Sequence, residues 1–259
     1  LDRHGTMDEY VKMKLRMVKN MGKDGHIVFN ADDSQLTMAL DGHDTKLVPF
    51  SVMQNGCIYS IDLKNINTLT GNVLLSIDDI ALPGKHNLSN MIGAATSSSI
   101  MGISDKHITY VMKTFIGVEH RLENVATIKD VTYINDSKAT NLDSVSVAIQ
   151  SFNKPVVLIL GGRNKGANFR LLLPHIKSSH VKDIISYGEA GGQISTAIGD
   201  AVRSVQVTDL NSAVKTAQSL AAPGDVVLLS PGCASFDEFS NFEERGQYFK
   251  TKVMEMMAT

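Results

Sequence analysis

Charged and hydrogen-bonding residues are concentrated in one short segment, Asn135–Asn141, with the sequence NDSKATN. Its aspartate and serine suit a turn, and Thr140 or Asn141 suits the N-cap of a following helix. Those roles leave Lys138 unexplained, because a turn needs no ammonium group. The segment is therefore a candidate for chemistry as well as for a turn.

Two more polar segments follow apolar runs later in the chain, GGRNKGANF after Leu160 and SPGCASFDEF after Leu229. In the first, glycines would let the backbone approach a ligand, and Arg163 and Lys165 add positive charge. Its spacing does not match the GxxxxGK[ST] pattern of a phosphate-binding loop, and a Gly-Gly pair alone more often marks a tight turn.

The segment SPGCASFDEF also carries the pattern of a helix start. Ser235 precedes Glu238 by three residues, which predicts a capping box. Free N–H groups at such a start could hold a carboxylate or a phosphate, although helix capping alone is the commoner role of such a serine. The helix is expected to bury the apolar side chains of Phe236, Phe239, Phe242, Phe249 and Val253.

The elements that would position these segments alternate regularly after Gly117. Residues 123–136 predict two strands with a turn at Lys129-Asp130, and the later Val/Ile/Leu runs alternate with helical patterns. This order predicts an α/β fold with a parallel sheet covered on both faces. Ligands of such sheets bind at the carboxyl ends of the strands, so we expect the three polar segments to form one site.

The amino-terminal half contains weaker candidates. Thr6 and Glu9 predict the capping box of a helix, and Lys14 on that helix is by default a solvent-exposed residue. Asn87 and Asn90 are three residues apart at the start of another predicted helix and would share a face. The pair His120-Arg121 lies at the domain boundary predicted near Gly117, where clefts form.

Composition excludes several functional classes. The 25 basic and 27 acidic residues are scattered and give a formal net charge of −2, so the sequence predicts no nucleic-acid partner. The longest mostly apolar run, Met91–Ile103, is too short to cross a bilayer, and no signal peptide is visible. Cys57 and Cys233 are far apart. We therefore expect a cytoplasmic protein with no membrane partner.

Several motifs together resemble those of the Mur ligases, most of all the members that add D-glutamate. They are INDSKATN, HNLSN, the His120-Arg121 pair, LGGRNKGANF and LLSPGCASFDEFSNFEERG. That family has a UDP-binding domain, a central ATPase domain and a Rossmann-like domain that binds the amino acid. The resemblance implies that residues 1–117 are the carboxyl-terminal part of the central domain and residues 118–259 the third domain. The UDP-binding domain and the P-loop would be missing, so the chain is expected to be an incomplete, inactive fragment.

The implied function of the parent protein is ATP-dependent amide formation in peptidoglycan biosynthesis. D-Glutamate would be added to UDP-N-acetylmuramoyl-L-alanine through an acyl phosphate. ATP, Mg²⁺ and these two small molecules are the expected ligands, and the oligomeric state is left open.

The resemblance also implies a role for individual residues. Lys14 matches a lysine that is carbamylated in the family and helps to organise Mg²⁺. Lys138 would lie near the nucleotide and the transferring phosphoryl group. The nucleotide-binding residues would be Asn87, Asn90, Arg121 and Asp136, with Asp136 at the ribose. The residues that hold the glutamate carboxylates would be Thr140, Lys165, Ser235 and the backbone of Phe242.

One departure from the family leaves alternatives open. The family often has an acidic residue just before the lysine of the Gly-Gly loop, and this chain has Arg163 and Asn164 there. Another Mur ligase, a folylpolyglutamate-type ligase, or a non-catalytic binding module of the same fold are the alternatives. A dinucleotide-dependent dehydrogenase is disfavoured because no GxGxxG follows a predicted strand.

Overall fold

The computed structural model describes residues 6–82 and 84–258, apart from the side chains of Met7, Lys85, His86 and Ala258. The chain divides into two compact units between Ile116 and Gly117. Within the described ranges, no helix combines the length and the apolar character needed to cross a bilayer.

The first unit is a small α/β assembly. Its helices and strands are α1 (Met7–Leu15), β1 (His26–Asn30), α2 (Ser34–Leu40), β2 (Lys46–Phe50), β3 (Tyr59–Ile61), β4 (Asn65–Thr68), β5 (Val73–Ser76), α3 (Lys85–Ile100) and α4 (Asp105–Thr114). Strands β1 and β2 pair in parallel, while β3, β4 and β5 form an antiparallel sheet. The polar strand β4 was not expected from the sequence, because its residues lack an apolar alternation.

The predicted start of α1 is confirmed. Thr6 Oγ1 accepts a hydrogen bond from the Glu9 N–H at 3.3 Å, which satisfies a free N–H group of the first turn. The helix ends at Leu15. Beyond it, the N–H groups of Met17 and Val18 donate to carbonyls three residues back, so residues 16–20 form turns.

The second unit is built on a six-stranded sheet. Its main elements are β6 (Glu123–Ile128), β7 (Val131–Asn135), α5 (Leu142–Gln150), β8 (Val156–Gly161), α6 (Leu173–Lys177), β9 (Val181–Tyr187), α7 (Gly191–Ile198), β10 (Arg203–Gln206), α8 (Leu210–Leu220), β11 (Val226–Gly232) and α9 (Phe242–Glu255). The strand order is β10-β9-β8-β11-β7-β6, and only the β6–β7 pairing is antiparallel. The predicted α/β class with parallel strands is confirmed.

Apolar residues on both faces explain the layered packing of this sheet. In β8, Leu158 and Leu160 belong to the core beneath α5, α6 and α7, whereas Val157 and Ile159 belong to the core beneath α8 and α9. All four side chains are fully buried. A strand buried on both faces needs such a continuous apolar run.

The predicted turn between β6 and β7 is confirmed. Lys129 and Asp130 adopt φ values of 50° and 63°. Positive φ at both central residues matches the twist of a two-residue hairpin, and aspartate tolerates this region well. The hairpin makes β6 antiparallel to the rest of the sheet.

Two predicted helix boundaries in this unit are wrong. The sequence NFRLLLPHIKSS after the Gly-Gly loop predicts one helix. The structure instead has a 3-10 turn (Phe169–Leu172) followed by the short α6, with Pro174 in its first turn. The expected helix start at Ser235 is a turn instead, in which the N–H groups of Glu238 and Phe239 donate to the Ser235 carbonyl. Helix α9 begins only at Phe242, with Asn241 as its N-cap. Consequently Phe236 is 57% exposed rather than buried.

Candidate functional site

Three polar loops leave the carboxyl ends of three adjacent strands in the second unit. Loop 1 (136–141) follows β7, loop 2 (162–168) follows β8, and loop 3 (233–241) follows β11, which lies between the other two. The alternation of strands and helices predicted this common edge. The sheet therefore brings together the three segments that the sequence singled out.

Backbone hydrogen bonds join these loops directly. The Gly232 N–H, at the end of β11, donates to the Ala139 carbonyl of loop 1 at 2.8 Å. Loop 2 and loop 3 pair through Arg163 and Ala234, whose N–H groups donate to each other's carbonyls at 2.8 and 3.1 Å. Thr140, Lys165 and Ser235 are each one or two residues from one of these contacts.

Gly162 is required for the contact between loop 2 and loop 3. Its φ is +117°, and a Cβ there would lie 2.3 Å from the Ala234 carbonyl oxygen. Any other residue would push the two loops apart. The Gly-Gly pair is therefore more than a tight turn, because it permits loop 2 and loop 3 to approach.

Asp136 is the most buried of the predicted nucleotide-binding residues. Its Oδ1 accepts from the Leu122 N–H at 3.2 Å and its Oδ2 from the Ser230 hydroxyl at 2.8 Å. Burial raises the pKa of Asp136 to about 6, and the two hydrogen bonds and the Arg121 charge oppose the rise. Each carboxylate oxygen retains a further acceptor site, so a ligand hydroxyl can still bind there.

Lys138, Phe242 and His120 lie beside each other. The Lys138 Nζ is 5.1 Å from the centroid of the Phe242 ring, and that ring meets the His120 ring edge to face at 6.3 Å. The Lys138 N–H donates to the His120 carbonyl at 3.0 Å. Lys138 and Arg121 are exposed, so two cationic side chains face solvent next to buried Asp136. This arrangement suits the binding of an anion.

A hydrogen-bond network fixes the buried His120 ring. The Asn135 side-chain amide donates to His120 Nδ1 and to Glu123 Oε2, both at 2.9 Å. The His120 N–H also donates to Glu123 Oε2 at 3.0 Å. Because Nδ1 accepts the amide hydrogen, the ring proton of the neutral imidazole belongs to Nε2.

The predicted amino-acid-binding residues differ in exposure. Lys165 is exposed, Thr140 is half-buried, and Ser235 is buried. Burial raises the pKa of the neighbouring Cys233 thiol to about 12, while the Arg245 and Lys165 charges oppose this rise. A buried thiol of this kind is a packing residue rather than a nucleophile.

The remaining predicted residues belong to the first unit. Lys14 is exposed on α1, with its Nζ 5.4 Å from the centroid of the Tyr10 ring. Asn87 is buried at the start of α3, whereas Asn90, one turn later, is exposed.

The part of the chain that the structure describes contains one candidate cluster for a metal ion. Within that part of the chain, the one cluster of three His, Cys, Asp or Glu side chains that could share an ion is Glu119, His120 and Glu123. The Lys250 Nζ lies 2.7 Å from the Glu119 carboxylate and 2.6 Å from that of Glu123. A single ammonium therefore already pairs with both carboxylates, and no catalytic step is assigned to a metal there.

Sequence reasoning missed Arg245, which is fully buried on α9 and bonds to both loop 1 and loop 3. A signal was present in the sequence. Arg245 and Gly246 follow Phe242 by three and four residues and precede Phe249, so helical periodicity places both on the apolar face.

Two family models match separate parts of the chain. Residues 1–98 match the model of the Mur ligase middle domain, and residues 120–233 match that of the Mur ligase glutamate ligase domain. The chain is 38% identical over 263 residues to the UDP-N-acetylmuramoylalanine–D-glutamate ligase of Lactobacillus johnsonii. This alignment covers 99% of the chain and 56% of that relative.

Solved structures share the fold at low identity. The UDP-N-acetylmuramate–alanine ligase MurC of Thermotoga maritima aligns with a TM-score of 0.69 and 14% identity, over 98% of this chain and 56% of that one. The MurF ligase of Thermotoga maritima, solved in complex with ADP, aligns with a TM-score of 0.69 and 12% identity, over 98% and 60%.

Proposed function

Because this chain belongs to the Mur ligase family, as its motifs indicated, we propose that the whole protein adds D-glutamate to UDP-N-acetylmuramoyl-L-alanine in peptidoglycan biosynthesis. The relative from Lactobacillus johnsonii, whose name states this pair of substrates, supports the proposal. The chain spans about 56% of that relative's length, so the activity of the whole protein rests on inference.

The observation that carries the proposal is the joining of the three loops at one edge of the sheet. D-Glutamate has two carboxylates, which call for hydrogen-bond donors and a cation. Loop 1 offers the Thr140 hydroxyl, loop 2 the exposed Lys165 ammonium, and loop 3 the Ser235 hydroxyl. The free N–H of Phe242, at the start of α9, is a further donor at this edge.

The proposed reaction forms an amide from a carboxylate and an amine. When bound, ATP supplies the phosphoryl group that activates the substrate carboxylate as an acyl phosphate. The amine then forms the C–N bond, the C–O bond to phosphate breaks, and the amine loses a proton. Lys138 and Arg121 stabilise the negative charge of the phosphoryl group, since both are exposed cations on the same edge.

We assign nucleotide-binding residues in each unit separately. In the second unit, Asp136 accepts hydrogen bonds from the ribose hydroxyls. In the first unit, Asn87 and Asn90 are assigned to the adenine on the basis of the family resemblance. Lys14 is the carbamylated lysine of the family pattern, and its exposure on α1 leaves the amine accessible to carbon dioxide. The Mg²⁺ requirement is part of the proposal on the basis of family resemblance alone.

We propose that these 259 residues alone do not catalyse the ligase reaction. Their sequence contains no GxxxxGK[ST] loop, whose backbone N–H groups and lysine position the transferring phosphoryl group. Binding of an acidic amino acid without turnover is the behaviour expected of them.

A second candidate is a Mur ligase that adds another amino acid. Arg163 pairs with Glu189 through two hydrogen bonds of 2.8 and 2.9 Å, and Asn164 donates to Gln193 at 2.7 Å. Arg163 and Asn164 thus occupy the positions before Lys165 where the family often has an acidic residue. This departure favours the second candidate.

Phosphate release from ATP by the whole protein tests the proposal. UDP-N-acetylmuramoyl-L-alanine is supplied with D-glutamate, L-glutamate, L-lysine, meso-diaminopimelate or L-alanine in separate reactions. We expect release with D-glutamate only. Release with a diamino acid would favour the second candidate, and no release with any amino acid would favour a binding module.

A further inference from the structure

Arg245 connects two of the three loops from inside the protein. Its Nη2 donates to the Ser137 carbonyl at 2.8 Å and its Nε to the Ser137 hydroxyl at 3.0 Å, both in loop 1. Its Nη1 donates to the Cys233 carbonyl of loop 3 at 3.1 Å. The side chain is completely buried, so these bonds are shielded from water.

Ser137 extends this connection to the start of α9. Its hydroxyl accepts from Arg245 and donates to the Phe242 carbonyl at 2.8 Å. Loop 1, loop 3 and the first turn of α9 therefore meet at one guanidinium group. Each of these three segments carries at least one residue proposed to contact the substrates.

The charge of Arg245 has no paired carboxylate within the described part of the chain, where no acidic oxygen lies within 4.0 Å of it. The two acidic residues of loop 3 bond elsewhere. Asp237 accepts from the Glu189 N–H at 3.2 Å, and Glu238 accepts from the Leu210 N–H at 3.2 Å.

A buried cation without a carboxylate partner is costly, because its solvation is lost and only neutral acceptors replace it. Three neutral oxygens satisfy the geometry of the guanidinium. Its charge also acts on the Glu238 carboxylate of loop 3, where it opposes the rise in pKa that burial causes, so the positive charge is only partly compensated. Such a charge raises the electrostatic potential at the adjoining loops, since the protein interior screens it weakly. An anion bound between loop 1 and loop 3 would balance it.

We propose that Arg245 is a positioning residue for the acidic amino acid. Its planar fork sets the distance between loop 1 and loop 3, and its charge is balanced by the carboxylates of the bound substrate. This inference rests on the proposed function and adds to it a residue that does not touch the ligand.

Lysine cannot replace the guanidinium in this role. Its ammonium is a compact charge that lacks the planar fork needed to hold Ser137 and Cys233 at the same time. Arg245→Lys therefore keeps the charge and disturbs the loop spacing. We expect the KM for D-glutamate to rise about tenfold or more, as for the loss of a charge-assisted hydrogen bond. The KM for ATP should rise less, because loop 3 and the start of α9 carry proposed contacts to the amino acid alone.

Steady-state kinetics of the whole protein test this, with Arg203→Lys as the matched control. Arg203 pairs with Asp183 at the amino-terminal end of β10, away from the loops, so its substitution should leave both KM values unchanged. A purely structural role for Arg245 would lower the unfolding midpoint and the active fraction, leaving the D-glutamate KM at the wild-type value, and that result would overturn the inference.

The outcomes separate the inference from the proposed function. If the wild type uses only non-acidic amino acids, both the inference about Arg245 and the proposed function are wrong. If it uses D-glutamate and the KM of Arg245→Lys is unchanged, only the inference falls. Should Arg245→Lys fail to fold, Ser137→Ala removes one acceptor of the same guanidinium. An unchanged D-glutamate KM in that variant would overturn the inference, and a rise of about threefold or more would support it.

Discussion

Gly246 lies so close to His120 that a Cβ at position 246 would be 2.3 Å from the imidazole Nδ1. This contact packs helix α9 against the residue that supports Lys138 through its carbonyl. It also explains a glycine in the middle of a helix, where glycine is otherwise unfavourable.

Gly246→Ala should destabilise the protein although alanine is the better helix former. The intrinsic gain of about 1 kcal/mol is outweighed by displacement of His120 from Asn135, so we expect a net loss of about 1–3 kcal/mol. Urea unfolding measures it. Gly192→Ala on α7 is the control, since a Cβ there meets only Gln206 atoms at 3.8 and 3.9 Å. Equal stability of both variants would contradict the close packing.

Asp136→Asn should change how stability depends on pH. Burial raises the folded pKa of Asp136 to about 6, above the ordinary aspartate value of 3.8, so its contribution to stability is present below pH 4 and is lost as pH rises through 6. A shift of about 2 units corresponds to about 3 kcal/mol. Relative to the wild type, we expect Asp136→Asn to gain stability between pH 4 and pH 7.

Urea unfolding of both proteins at several pH values checks this. A stability difference that stays constant from pH 4 to pH 8 would contradict a raised pKa at Asp136. If Asp136 also accepts the ribose hydroxyls, the same variant should bind ATP more weakly while gaining stability relative to the wild type as pH rises from 4 to 7. That combination distinguishes a ligand-binding carboxylate from one that only supports the fold.

Asn241→Ala and Ser235→Ala should have opposite effects on protein stability and on the KM for the amino acid. Asn241 Oδ1 accepts from the Glu244 N–H at 2.7 Å, so its removal should cost about 1 kcal/mol of stability with little effect on the amino-acid KM. Ser235→Ala should raise that KM and leave α9 intact. A larger stability loss in Ser235→Ala than in Asn241→Ala would instead place the helix start at Ser235.

Lys14→Ala tests the carbamylated lysine. A carbamate forms only from a neutral amine and carries a negative charge, so short carboxylic acids should partly restore activity to the alanine variant. Activity of the whole protein is measured with and without acetate. Lys12→Ala, exposed on the same helix, is the control and should keep full activity. Full activity in Lys14→Ala would show that Lys14 is a solvent-exposed residue with no part in the reaction.

The sequence predicted the elements whose signals are local. The turn at Lys129-Asp130 and the apolar strand β8, which is buried on both faces, could be predicted without knowledge of contacts between distant residues. The meeting of the three loops also followed from the alternation of strands and helices, because carboxyl ends of parallel strands share an edge.

Contacts between distant residues could not be predicted. Glu238 was expected to cap its own helix, but its carboxylate binds Leu210, 28 residues away in the chain. The partners of Arg245 in loop 1 are 108 residues away, so only the burial of this arginine, and not its role, could be inferred from periodicity. The raised pKa of Asp136 depends on burial, which arises from tertiary packing.

The central claim, that the three joined loops hold the carboxylates of the incoming amino acid, is tested most directly by Lys165→Ala. The D-glutamate and ATP KM values of the whole protein are measured for this variant and for Lys177→Ala, an exposed lysine at the end of α6. We predict that Lys165→Ala raises the D-glutamate KM by about 10- to 100-fold, from the loss of a charge-assisted hydrogen bond, while its ATP KM and both values of Lys177→Ala stay near wild type. Equal changes in the two KM values of Lys165→Ala, or no change in either, would contradict the claim.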